Sequence, residues 1–190
     1  MRQRGFTLIE VMVVLMIVGI LLSMVNLSAS DRAAQDETKQ LADRITVAFG
    51  QYREEAVFQN LDLGVGWLPE EFILLGFYDL RLKSVAQDLE SEELTLLQKN
   101  PWQGIDVNVG QSIAIPAEVQ ITLSIDEEEI DPSELFDEDT GPEPALLFLS
   151  SDEYTPFTMI LTHDADPDFI ITLSGDGVGP VRQRMERTDA

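Results

Sequence analysis

Residues 1–25 read MRQRGFTLIEVMVVLMIVGILLSMV, and this stretch decides how the chain is organised. Residues 6–25 provide the roughly 20 residues that a helix needs to cross a bilayer's hydrocarbon core, and they contain no proline, lysine or arginine. Arg2 and Arg4 precede this apolar run and the acidic bulk of the chain follows it. The positive-inside tendency therefore predicts a single-pass protein with a cytoplasmic N terminus and its main domain across the membrane.

Two features separate this stretch from an ordinary signal peptide. The predicted cleavage point follows Gly5 and so lies before the apolar run. A signal peptidase cuts after the apolar run of its substrate. Cleavage after Gly5 would therefore leave the membrane helix attached to the protein. Glu10 interrupts the apolar run, where an unpaired ionised carboxylate is unfavourable by about 2–3 kcal/mol or more. Glu10 is therefore a candidate functional residue. The alternative is a plain membrane anchor in which Glu10 lies near the headgroups.

The sequence GFTLIE at residues 5–10, with the apolar tract behind it, resembles the class III signal of type IV pilins and type II secretion pseudopilins. The resemblance implies that a prepilin peptidase cuts after Gly5 and methylates the new amino terminus of Phe6. It also implies a partner for Glu10, namely the N-terminal amine of Phe6 in a neighbouring subunit. Each charge is unfavourable in lipid on its own, so the two are satisfied together only on assembly.

Composition limits the class of protein. The chain of 190 residues is 44% hydrophobic, which is enough for one globular core with appendages. Its formal net charge of -23 repels phosphate backbones and argues against nucleic acid as a partner. The absence of cysteine from the sequence excludes disulfides, thiolate metal sites and thiol nucleophiles.

The helical pattern continues beyond the apolar tract. Apolar residues recur at spacings of three and four, which predicts an amphipathic helix that needs a sheet to cover it. This stripe consists of Leu41, Ile45, Ala48, Tyr52 and Ala56. If residues 26–30 do not break the helix, one rod runs over residues 6–58 and is about 80 Å long.

After Gly64, Gly66 and Pro69 the chain reads as short strands separated by turn-forming residues. Residues 87–98 predict either a short helix or a loop. The predicted fold is α+β and pilin-like, with one long N-terminal helix, membrane-spanning in its first half, packed on antiparallel β-sheet. The candidate strands cover residues 61–67, 71–78, 118–125, 145–149, 157–162 and 169–173, with a weaker one at 178–182.

The resemblance at the N terminus and the pattern of helix and strands together predict three segments. Residues 1–5 form the cleaved leader, and residues 6–30 form the transmembrane and assembly half of the helix. Residues 31–190 form a periplasmic domain that contains the second half of the helix, the sheet and an acidic loop at 126–144.

The C-terminal half narrows the resemblance. The sequence ALLFLSSDEYTPF at residues 145–157 resembles the strand, turn and Thr-Pro-Phe signature of H-type minor pseudopilins of type II secretion, whereas residues 80–139 match poorly. The GDGVG segment that starts at Gly175 resembles the glycine-rich turn before their last strand. We expect Gly175 and Gly177 where a hairpin needs positive φ, and Pro156 at a strand start or edge.

The strongest compositional anomaly is the acidic stretch DEEEIDPSELFDED at residues 126–139. Self-repulsion and the glycine and prolines that follow predict an exposed, mobile loop between two strands. The functional alternative is an electrostatic contact with a basic neighbour or cargo, with Leu135 and Phe136 as an apolar anchor.

A calcium site is not expected. Asp164, Asp166 and Asp168 alternate as an EF-hand loop begins. Phe169, however, stands where that loop requires glycine, and Gly175 stands where it requires a bidentate acid. We therefore assign no metal and no cofactor.

Catalysis has little support in the sequence. The one histidine, His163, ends a predicted strand, where a surface or capping role is expected. The sequence contains no nucleophile elbow, phosphate loop or Ser-x-x-Lys motif. An enzyme is therefore not predicted.

The resemblance implies a structural subunit near the tip of the periplasmic pseudopilus. Its expected partners are other minor pseudopilins, the major pseudopilin, the prepilin peptidase and the inner-membrane assembly platform. One alternative is a minor pilin of a type IV pilus or DNA-uptake apparatus, for which only Arg182, Arg184 and Arg187 offer a basic patch. The other is a membrane-anchored periplasmic binding or enzymatic module that keeps its N-terminal peptide.

Overall fold

The computed structural model describes residues 7–79, 91–105 and 112–188. The helices in these ranges are α1 (Leu8–Gln59) and α2 (Ser91–Lys99), and one 3-10 turn spans Pro132–Leu135. The strands in these ranges are β1 (Leu63–Trp67), β2 (Glu71–Phe77), β3 (Trp102–Gly104), β4 (Ser112–Ala114), β5 (Val119–Ile125), β6 (Glu128–Glu129), β7 (Phe136–Asp137), β8 (Gly141–Pro142), β9 (Pro144–Phe148), β10 (Phe157–His163), β11 (Asp166–Gly175) and β12 (Arg182–Arg187).

Helix α1 is continuous, as the sequence predicted for residues 6–58. It spans 52 residues and is not broken at residues 26–30. The helix ends at Asn60, whose backbone is left-handed with φ 52° and whose N–H bonds to the carbonyls of Ala56 and Val57. Asparagine tolerates this conformation better than most residues because its short polar side chain bonds locally.

The strands form two larger antiparallel sheets among the described residues. In the first sheet the order is β3-β2-β1-β9, and β4 also pairs with β2. In the second, which we call sheet B, the order is β12-β11-β10-β5-β6. Strands β7 and β8 pair as a separate short ribbon. The predicted α+β arrangement of one long helix with antiparallel sheet is confirmed.

The core lies between the second half of α1 and the sheets. The predicted stripe is confirmed, because four of its five residues are fully buried and Ala48 is half-buried. Phe49, which the stripe omitted, is also buried, and its ring lies 5.4 Å from that of Phe148 and 5.7 Å from that of Phe157. Each large apolar side chain buried here stabilises the fold by about 1.5–3 kcal/mol.

The main predicted strands are confirmed with small shifts at their ends. The weaker prediction at residues 178–182 is wrong, because residues 178–181 lie in the connection after β11 and the last strand is Arg182–Arg187. The alternative of a helix at residues 87–98 is confirmed as α2, although residues 87–90 lie outside the described residues.

Gly175, the last residue of β11, and Gly177, in the connection that follows, serve different purposes. Gly177 has φ +90°, as predicted. Gly175 does not have a positive φ, so that prediction is wrong. A Cβ at Gly175 would lie 2.5 Å from Cε2 of Tyr154 and 2.8 Å from Cε1 of Phe157, so close packing of the rings excludes a side chain there. Pro156 immediately precedes β10, as predicted.

The acidic stretch is largely exposed, as predicted, but it contains short ordered elements, among them β6 and the 3-10 turn. The buried side chain of Asn100 donates to the carbonyls of Thr140 and Pro142 and so holds the end of this stretch. Leu135 packs against the domain's own core, whereas Phe136 is 48% exposed. Of the two residues suggested as an apolar contact for a neighbour or cargo, only Phe136 is exposed.

Candidate processing and assembly site

A threonine cap fixes the start of α1 and the position of Glu10. The Oγ1 atom of Thr7 accepts a hydrogen bond from the Glu10 N–H at 3.3 Å, and the Thr7 carbonyl accepts from Val11 at 3.3 Å. The side chain of Glu10 is exposed in the first turn, where the positive end of the helix dipole favours a carboxylate. Gly5 and Phe6, the predicted cleavage and methylation positions, lie outside the described residues.

The first part of α1 presents a bare apolar surface. Every residue from 8 to 21 is exposed, and Leu8 reaches 80%. Packing against the domain begins near Ala34, which is 3% exposed. No part of the chain that the structure describes covers the surface of residues 8–21 around Glu10.

Among the helices whose side chains are described, none is both long and apolar enough to cross a membrane. The predicted span, residues 6–25, extends beyond the described side chains at both ends.

A buried carboxylate ties α1 to sheet B just beyond this bare segment. Asp166, which is 4% exposed, begins β11. Its Oδ2 accepts from Nε2 of Gln35 at 2.8 Å, and its Oδ1 accepts from the guanidinium of Arg187 at 3.2 Å. The ammonium of Lys39 lies 5.3 Å from the ring centre of Phe169 on the same strand. These contacts join α1, β11 and β12, and we call them the Asp166 anchor.

His163 reinforces this connection. Its Nδ1 accepts from the backbone N–H of Ala165 at 3.0 Å, and its Nε2 lies 3.1 Å from Oε2 of Glu37 on α1. Because Nδ1 accepts, Nε2 carries the proton in the neutral ring and donates to Glu37. Of the two roles expected for His163, surface or capping, the structure shows the capping role: the residue is 7% exposed and its ring accepts the N–H of Ala165 in the turn.

A second connection, the Arg53 clasp, lies further along α1. The guanidinium of Arg53 donates to both carboxylate oxygens of Asp152, at 2.7 and 2.9 Å, and to the carbonyl of Gly179 at 3.3 Å. The hydroxyl of Tyr154 donates to the same carbonyl at 2.8 Å. The hydrogen bond to Asp152 raises the pKa of Arg53. Backbone N–H groups, first that of Gly179, lower the pKa of Asp176 in the adjacent turn.

The two connections hold α1 at Gln35 and Arg53, which are about 27 Å apart along the helix axis at 1.5 Å per residue. Held at two such points, the helix keeps a defined direction relative to the domain. The bare segment with Glu10 is therefore presented on a helix that its own domain orients.

Two of the three carboxylates considered for calcium are engaged in protein contacts. Asp166 bonds Gln35 and Arg187, and Asp164 accepts from Gln120 at 3.3 Å. In the described ranges, no group of three or more histidine or acidic residues is placed to hold a metal.

The arginines considered as a basic patch are paired with acids. Arg182 lies 3.1 Å from Asp176, and Arg184 lies 3.4 Å from Glu186. Arg187 belongs to the Asp166 anchor. The C-terminal strand therefore does not present unbalanced positive charge.

Sequence reasoning missed the residues that orient α1. Asp166 was weighed only as a metal ligand, and Arg53 was not singled out. Their partners are 131 and 126 positions away along the chain, so no local pattern connects them. The one available signal was the position of Asp166 three residues after a strand-ending histidine, a spacing that is typical of a tight turn between paired strands.

Comparisons with known proteins agree with the resemblance that the sequence indicated. Residues 1–26 match the prokaryotic N-terminal methylation motif. Type II secretion system protein H of Pseudomonas aeruginosa is 25% identical over 189 residues, which cover 97% of this chain and 98% of that protein. Protein H of Dickeya chrysanthemi is 28% identical over 167 residues, which cover 87% and 88%.

The fold is also found in a solved structure. The crystal structure of the minor pseudopilin EpsH from the type II secretion system of Vibrio cholerae matches with a TM-score of 0.52 at 21% identity, covering 82% of this chain and 98% of that one. This likeness supports the pilin-like fold alone. Taken together, the methylation motif, the nearly full-length relatives and the fold confirm the predicted resemblance to the H-type minor pseudopilins of type II secretion.

Proposed function

We propose that this chain is a minor pseudopilin of the type II secretion system, a structural subunit near the tip of the periplasmic pseudopilus. In that position it helps to export folded proteins across the outer membrane. The observation that carries the proposal is the bare apolar segment of α1 with Glu10 in its first turn, held in a fixed direction by the Asp166 anchor and the Arg53 clasp.

The methylation motif supports a specific path of maturation. A prepilin peptidase cuts after Gly5 and methylates Phe6. Residues 6–30 hold the chain in the inner membrane, with the N terminus in the cytoplasm. Residues 31–190 form the periplasmic domain, and Arg2 and Arg4 ahead of the span favour this orientation under the positive-inside tendency.

Assembly joins the bare helical segments of several subunits. Lipid-embedded helices gain little hydrophobic energy from each other, so close packing and polar pairs provide the binding energy. The carboxylate of Glu10 pairs with the N-terminal amine of Phe6 in a neighbouring subunit. The neighbours are other minor pseudopilins and the major pseudopilin, and the inner-membrane assembly platform inserts the subunit into the filament.

The charge distribution argues against the alternative of a DNA-uptake pilin. Such a subunit needs a basic surface for the phosphate backbone. Here the net charge is -23, and the arginines of β12 are paired with acids.

The proposal is tested by complementing a strain that lacks this chain and measuring how much of an exported protein reaches the medium. Glu10→Ala should reduce export to the level of the deletion strain without lowering the amount of folded chain, because the subunit loses its pairing in the bundle. Asp36→Ala, which removes another exposed acid of α1, should behave as the wild type. Normal export by the Glu10→Ala strain would refute the assembly role.

A further inference from the structure

Thr7 determines where α1 begins. Its backbone is extended, with φ -82° and ψ 150°, and the helix starts at the next residue, Leu8. Its Oγ1 accepts from the N–H of Glu10, and its carbonyl accepts the first bond of the helix ladder from the N–H of Val11. Thr7 and Glu10 also have the spacing of a capping box, in which a threonine is followed three residues later by a glutamate. The side-chain cap and the acid in the first turn both favour a start at Leu8.

This helix start lies close to the predicted cleavage point, because Leu8 is three residues after Gly5. Cleavage adds one water across the Gly5–Phe6 peptide bond and leaves a carboxylate on Gly5 and an amine on Phe6. If α1 began at Phe6 instead, the carbonyl of Gly5 would accept a hydrogen bond from the N–H of Ile9. A helix of that length would occupy the carbonyl oxygen that a peptidase has to bind as negative charge develops on it.

We propose that Thr7 is a positioning residue for the prepilin peptidase, because its cap stops α1 short of the Gly5–Phe6 bond and so leaves that bond accessible. The inference rests on the proposed function, in which this bond is cleaved and residues 6–30 lie in the membrane. A helix end that loses its cap can move in either direction. Retreat into lipid would leave backbone groups without hydrogen-bond partners, so the end extends toward the N terminus.

The role of Thr7 is tested by following cleavage of the full chain in cells. The strain contains the prepilin peptidase and lacks the other pseudopilins, so that assembly does not contribute. Newly made chain is pulse-labelled, and the fraction that has lost residues 1–5 is measured over time. Thr7→Val keeps the shape of the side chain and removes the oxygen that caps the helix. We expect it to slow cleavage by about fivefold, the factor by which a typical cap shifts the equilibrium of a helix end.

Three further variants show whether the cap is responsible. Thr7→Ser and Thr7→Asn both keep a capping oxygen, so both should be cleaved at close to the wild-type rate. Thr46→Val removes another hydroxyl of α1, which bonds the carbonyl of Ala42, and should also be cleaved normally.

Two results would overturn the proposal. The first is cleavage of Thr7→Val at the wild-type rate. The second is slow cleavage of both Thr7→Val and Thr7→Asn beside normal cleavage of Thr7→Ser, because the peptidase would then recognise the hydroxyl itself and not the helix end.

The failure of this inference is distinguishable from failure of the proposed function. If the wild-type chain is cleaved and Thr7→Val is cleaved equally fast, the maturation path stands and only the role of Thr7 is lost. If the wild-type chain keeps residues 1–5 in the presence of the peptidase, the proposed maturation fails and the inference fails with it.

Discussion

The Asp166 anchor makes a quantitative prediction about the stability of the domain. Asp166→Ala removes a buried carboxylate that accepts from Gln35 at 2.8 Å and from Arg187 at 3.2 Å. A hydrogen bond to a charged group contributes about 1.5–3 kcal/mol. The side chain of Arg187 is 53% exposed, so its ion pair adds about 1 kcal/mol or less. We expect the free energy of unfolding to fall by about 2–4 kcal/mol.

The measurement is urea unfolding of the purified chain, followed by the fluorescence of its tryptophans, of which Trp67 is buried in β1. Asp164→Ala is the matched control, because this exposed acid makes one long hydrogen bond to Gln120 at 3.3 Å and should change stability by about 0.5 kcal/mol or less. If Asp166→Ala also changed stability by no more than its control, the carboxylate would not anchor α1 to sheet B.

Two further predictions concern pH. Burial raises the pKa of Tyr52 from 10.0 to about 12. The folded state favours the neutral phenol, so Tyr52 makes its full contribution to the free energy of unfolding below pH 10. That contribution is lost as the pH rises from 10 to 12, by at most about 1.4 kcal/mol per pH unit. Urea unfolding of Tyr52→Phe should therefore show a smaller loss over that range, and an equal loss would exclude Tyr52 as the cause. The folded state lowers the pKa of Asp176 and so favours its ionised form. Asp176 therefore stabilises the fold at pH values above the usual pKa of an aspartate, and this stabilisation is lost as the pH falls through the lower pKa of the folded state. Asp176→Ala should lower the thermal midpoint at pH 7 and much less at pH 2, whereas the same difference at both would contradict the assignment.

The sequence allowed the long helix and most strands to be predicted because their patterns are local. The apolar tract and the three-and-four spacing from Leu41 to Ala56 continue without proline, and the structure shows one helix there. Strand β5 alternates apolar and polar residues, β10 does so except at Ile160, and both were predicted almost to the residue.

Where the sequence prediction failed, the deciding contacts are not local. Strand β12 reads RQRMER and has no apolar alternation, and pairing with β11 defines it. The position of β12 therefore could not be predicted from the strand propensity of its residues. Gly175 is required by the rings of Tyr154 and Phe157, and sequence alone does not reveal that crowding.

The residues of the candidate site also fall into two groups, those that a local sequence motif predicts and those that only the structure reveals. Gly5, Phe6 and Glu10 were identified because a short motif carries them, and the motif is matched by residues 1–26. Asp166 and Arg53 were not, because their contacts join distant parts of the chain: Gln35 is 131 positions from Asp166, and Gly179 is 126 positions from Arg53. The motif thus predicts processing, while the structure explains how helix α1 is oriented.

Mass spectrometry of the N-terminal peptide tests the central claim most directly. The full chain is expressed in matched strains with and without the prepilin peptidase, and its first residue is identified. We expect a chain that begins at N-methylated Phe6 only when the peptidase is present. A chain that begins at Met1 in both strains would contradict it and would favour an anchored periplasmic module.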